Sequence, residues 1–143
     1  MALSDDPGYF GRALLAQELS AVTAACMLVP KAVFDRVGGF DAQNFAVAFN
    51  DVDLCLRIRE AGYRITWTPY ATLLHHESAS RGAEDTREKR VRFAGECAAM
   101  IKRWGGQLRA DPFFNPNLSL DFEMPALAFP PRIAMPAQTG ASG

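Results

Sequence analysis

The sequence has 143 residues, about the length of one ordinary domain. A hydrophobic fraction of 49% supports a packed core, and a formal charge of -1 excludes the basic excess that a nucleic-acid surface needs. No apolar run approaches the ~20 residues of a membrane span, and no basic-then-apolar secretory signal opens the chain.

Residues 1–7 read as a disordered start. Gly8 to Leu19 predicts a helix, with apolar positions at Phe10, Leu14, Leu15 and Leu19. Val22 to Val29 is a continuous small and apolar run, the pattern of a strand covered on both faces. Pro30 suits a first helical position, and the short helix behind it offers Val33, Phe34 and Val37 to the core before Gly38-Gly39 stops it.

The central stretch is Asn50 to Tyr63. Asn50 predicts an N-cap, and Asp51 and Asp53 then fall in the first turn, where the helix dipole favours carboxylates. Val52, Cys55, Leu56 and Ile58 turn one face inward, and Gly62 stands where a left-handed residue closes a helix. Tyr63 to Thr68 alternates with period two and predicts a strand. Ala71 to His76 is a second strand candidate, followed by a polar loop over 78–82. Glu84 to Trp104 predicts the longest helix, with mixed charges at its start that suit a solvated face, and Gly105-Gly106 predicts its end. Prolines forbid regular structure in the segment from Asp111 to Asn117. Residues 119–143 predict a Pro-rich tail, an extended strap with a disordered end. Cys26, Cys55 and Cys97 lie far apart among apolar neighbours, the pattern of reduced core thiols in a cytosolic protein; no CxxC pair suggests zinc.

Several segments, in order, carry a family resemblance: Val22-Thr-Ala-Ala-Cys-Met-Leu-Val-Pro-Lys31, Phe34-Asp-Arg-Val-Gly-Gly-Phe-Asp41, Asn50-Asp-Val-Asp-Leu-Cys-Leu-Arg57 with Glu60-Ala-Gly-Tyr63, Trp67-Thr-Pro-Tyr-Ala71 and Leu74-His-His-Glu-Ser-Ala-Ser-Arg-Gly82. They resemble the middle of family 2 glycosyltransferases, and Asp111-Pro-Phe-Phe-Asn-Pro-Asn-Leu118 is similar to the closing segment of bacterial rhamnosyl- and O-antigen-type members. The resemblance implies an α/β fold: the C-terminal, acceptor-side half of a GT-A domain over 8–118, with a short mixed sheet packed by helices. The family's donor-binding half, with its DxD motif, has no match here, so a fragment without full activity of its own is expected.

The resemblance makes Asp51 the catalytic base of an inverting transfer from a nucleotide sugar to a glycan or lipid-linked acceptor. From spacing alone, Asp51 would only complement the helix dipole. The family often has an acid before this position, where this chain has Asn50. Asn50, Asp53, Trp67, Ser80 and Arg81 are candidates for donor or acceptor binding. Arg81 has the planar fork that suits a diphosphate. The plain alternatives are a structural Asp53 bonded to Arg57, a core Trp67 and a solvated Arg81. His75 and His76 are candidate ligands for a divalent metal, Mg or Mn, in the intact enzyme; the competing reading is a histidine bonded to backbone. The fragment alone is expected to bind no metal, to self-associate through exposed apolar surface, and to work in the cytoplasm or at the inner membrane face. A non-catalytic carbohydrate-binding or assembly module is the rival reading.

Overall fold

The structure, a computed structural model, describes residues 7–73, 86–121, 126–130 and 132. Its elements run in chain order as a 3-10 turn (Tyr9–Leu14), β1 (Gln17–Glu18), a 3-10 turn (Ala24–Cys26), α1 (Lys31–Arg36), α2 (Asn50–Glu60), β2 (Thr66–Trp67) and α3 (Arg87–Arg109). It is a small α/β arrangement. The expected mixed sheet is, among the described residues, one antiparallel pair with Gln17 opposite Trp67 and Glu18 opposite Thr66.

The first expected helix does not form. Phe10 and Gly11 sit at φ 52° and 73°, which breaks any regular helix there, and the chain extends into β1 instead. The strand expected over Val22 to Val29 is also absent. The Thr23 hydroxyl accepts from the Ala25 amide and turns the backbone into a 3-10 turn, and the Ala24 amide is spent on a side chain of α2. Leu28 stands 99% exposed, so this run is not covered on both faces. Cys26 is exposed rather than in the core, whereas Cys55 is buried and all three thiols are free. Burial pushes the Cys55 thiol pKa up.

The packed centre is where α2 meets α3. Phe45, Leu56, Met100 and Trp104 form the buried cluster, with Phe49, Val52 and Ala99 against it. α2 ends as its sequence predicts. Gly62 is left-handed at φ 87°, its amide donates to the Arg59 carbonyl, and the Tyr63 amide donates to Ile58. That pair of bonds closes the last turn and satisfies carbonyls that a helix end leaves open.

β2 is shorter than the alternating pattern suggests, although Ile65 and Trp67 remain more buried than Arg64, Thr66 and Thr68. Residues 71–73 form no strand, and 74–76 lie outside the described residues. α3 starts at a Thr86 cap whose hydroxyl accepts from the Lys89 amide, and it runs through Gly105 and Gly106 to Arg109. Past α3, Leu118 bridges Leu127, and Arg132 donates to the carbonyls of Leu118, Arg109 and Asn115. These contacts join the few described residues of the tail to the 109–118 segment; most of 119–143 lies outside the described residues.

Candidate functional site

The N-terminus of α2 carries the candidate site. Its entry residue is Phe49 rather than Asn50. Phe49 adopts the left-handed region at φ 62° and ψ 7°, and its carbonyl accepts from the Asp53 amide at 2.9 Å. Asn50 is already the first helical residue, so the expected side-chain cap is not made.

Asp51 is half-buried in the first turn. One carboxylate oxygen accepts from the Val52 amide at 2.9 Å, and the other accepts from the Ala24 amide at 3.0 Å. Two backbone donors thus fix the group, and the adjoining Thr23 to Cys26 segment is exposed. A carboxylate held this way keeps lone pairs for a further proton. The arrangement can accept a proton from a hydroxyl brought against the 23–26 turn.

Asp53, two residues on, is fully buried. One of its oxygens accepts from Arg57 Nε at 2.8 Å. The other accepts from Arg103 and from the Trp104 indole, each at 2.8 Å. Arg57 also donates to the carbonyls of Val37 and Gly39, tying the turn after α1 to α2. No face of Asp53 is left for a ligand, which corrects its place among the binding candidates; its bond to Arg57 was legible in the spacing. Arg103 extends the network to Asp41, and these carboxylates raise the Arg103 pKa, Asp53 foremost. The Asn44 side chain, with the Asn44 amide and Arg103, brings the Asp41 pKa down to about 2.

Trp67 is half-buried on β2, opposite Gln17. His75, His76, Ser80 and Arg81 lie outside the described residues, and so does any meeting of the histidines with Asp51. Among the described residues no group of three His, Cys, Asp or Glu side chains could hold a metal ion.

Glu96 escaped the sequence reading. It is buried on α3, and its two oxygens accept from the amides of Val47 at 2.9 Å and Ala48 at 3.1 Å. A signal was present: Glu96 falls on the apolar stripe of Phe93, Met100 and Trp104, and a charge on a buried face implies buried partners.

A cleft of about 250 Å³ opens along α2, lined by Val52, Leu56, Ser20, Asp111, Phe113 and Phe114 among others. Its polar groups largely satisfy one another. The Ser20 hydroxyl donates to Asp111 at 2.7 Å and accepts from Arg59 at 2.8 Å.

The model of the glycosyltransferase-like family 2 matches residues 8–103. This chain belongs to that family. The match covers the first-turn acids, Arg57 and Arg103 of the network around Asp53, and Glu96, and it ends one residue before Trp104. The chain is similar to an uncharacterized protein, y4gI, of Sinorhizobium fredii, at 55% identity over 80% of the chain and 12% of the relative. It is 37% identical to the O-antigen biosynthesis protein RfbC of Myxococcus xanthus, over 78% of the chain and 8% of the relative. It is 32% identical to an N-acetylglucosaminyl-diphospho-decaprenol L-rhamnosyltransferase of Mycobacterium tuberculosis, over 62% of the chain and 29% of the relative. The chain thus spans less than a third of the length of each of these relatives. No solved structure matches it. No helix among the described residues is long and apolar enough to cross a membrane.

Proposed function

We propose that this chain supplies the base and acceptor side of an inverting sugar transfer from a nucleotide donor to a glycan or lipid-linked acceptor. Membership of the family supports the reaction class, and the relatives named for O-antigen biosynthesis and for rhamnosyl transfer support the acceptor class. The observation that carries the reading is the Asp51 carboxylate, held by the Ala24 and Val52 amides beside an exposed turn of small residues.

In this reading an acceptor hydroxyl lies against the 23–26 turn and gives its proton to Asp51. Its oxygen forms the new bond to the anomeric carbon. The bond from that carbon to the diphosphate breaks, and the electron pair leaves with the nucleoside diphosphate. Small side chains at Thr23, Ala24 and Ala25 leave room for the acceptor to reach the carboxylate. His75 or His76 would help to hold a divalent ion, which would offset charge on the departing diphosphate.

The test is Asp51→Asn in the natural protein that carries this chain. Turnover of nucleotide sugar should fall about 10²- to 10⁴-fold, the usual contribution of a general base. Nucleotide affinity should stay within about twofold, since the change removes only the proton acceptor. Unchanged turnover would remove Asp51 from the mechanism. A wild-type protein that binds glycan and turns over no donor would favour a binding module.

A further inference from the structure

The segment that delivers Asp51 has little structure of its own. Residues 46–49 form bends, and the chain enters α2 through a left-handed phenylalanine, a conformation that side chains other than glycine rarely hold unaided. Two contacts from α3 hold it. The Glu96 carboxylate grips the consecutive amides of Val47 and Ala48, one with each oxygen. One turn earlier on α3, Phe93 stacks on Phe49 with ring centres 5.7 Å apart. Phe49 in turn gives its carbonyl to the first turn of α2, two residues from Asp51.

A buried carboxylate is a costly way to stabilise a fold, because burial strips its water. Its specific gain here is geometric: two acceptors at fixed separation orient two amides, which no apolar side chain can do. We propose that Glu96 is a positioning residue, setting through residues 47–49 the angle at which Asp51 meets the acceptor. This rests on Asp51 being the base. It names a residue on another helix, 45 positions away, that tunes it.

The decisive variant is Glu96→Gln, which keeps the shape and replaces one acceptor with a donor facing a backbone amide. It is studied in the natural full-length protein, alone and with Asp51→Asn. The expected result is a kcat lower by about 10- to 100-fold, the size of effect that small misplacement of a catalytic group produces. Acceptor KM and nucleotide affinity should stay within about twofold, and the thermal midpoint should fall by the same few degrees in both backgrounds, the cost of one unpaired amide. In the Asp51→Asn background Glu96→Gln should cost no further turnover, because its route to the reaction is already cut. Deuterium uptake should rise in the peptide spanning 45–53 and not in α1.

Wild-type kcat in Glu96→Gln would overturn the proposal. So would an equal fractional loss in both backgrounds, which would assign Glu96 to folding alone. If Asp51→Asn itself keeps full turnover, the base assignment fails and the route through Asp51 fails with it. Uptake over 45–53 then still decides whether Glu96 holds that segment.

Discussion

Each oxygen of Asp53 ends on a donor inside the protein, whereas Asp51, in the same turn, is held by backbone amides beside an exposed segment. Their substitutions should therefore separate. Asp53→Ala leaves Arg57, Arg103 and the Trp104 indole without a shared acceptor, and breaking a buried ion pair costs about 3–5 kcal/mol. Asp51→Asn keeps an oxygen for the Ala24 amide and loses the acceptor of the Val52 amide and a favourable interaction with the helix dipole, about 1–2 kcal/mol together. Urea unfolding of the two variants checks the difference, and equal losses would contradict the assignment of roles. Asp41 adds a pH dependence. Its folded pKa of about 2 lies below the ordinary 3.8, so the unfolded chain binds the proton more readily. Its contribution is complete above pH ~4 and disappears as pH falls toward 2. The stability gap between wild type and Asp41→Asn should close over that window and stay constant from pH 5 to 7.

At the scale of elements, legibility followed the range of the interactions. α2 was readable because its signals are local: two acids in the first turn, an Asp53 to Arg57 bond at one-turn spacing, and Gly62 at the close. What reaches Asp53 from Arg103 and Trp104, or Val47 from Glu96, spans about 50 positions and leaves no trace in local spacing. The run from Val22 to Val29 has strand composition, yet the Asp51 carboxylate takes the Ala24 amide and Thr23 bonds locally. Gly105-Gly106 misled for an energetic reason. A helical glycine costs only about 1 kcal/mol, and the Trp104 packing that precedes the pair outweighs it. That cost is recoverable. A Cβ added at Gly106 would meet nothing within 4 Å, and the position is exposed with negative φ. Gly106→Ala should stabilise the protein by about 0.5–1 kcal/mol, read as a higher urea midpoint at unchanged slope.

Across the whole molecule, burial is uneven. The α2–α3 centre is packed, while Phe10, Leu28 and Phe129 stand 89%, 99% and 99% exposed, with Tyr70 at 86%. Scattered apolar side chains on a surface are ordinary, but four this large and this open, on segments with almost no sheet pairing, are not fully accounted for by the described fold. The hydrophobic effect acts on them regardless of what covers them in the natural protein, and fully burying one such side chain is worth about 1.5–3 kcal/mol. Two or three buried together are worth about 3–9 kcal/mol, which, less at least about 4 kcal/mol for the entropy of joining, brings association into the submillimolar-to-millimolar range at best. The 143-residue chain alone should therefore self-associate. Sedimentation velocity should show a weight-average coefficient that climbs between about 10 µM and 500 µM. Changing Leu28 and Phe129 to serine should flatten that climb without moving the unfolding midpoint, because neither side chain contributes to the core. A strict monomer throughout, or association that survives both substitutions, would mean that these side chains do not drive contact between copies.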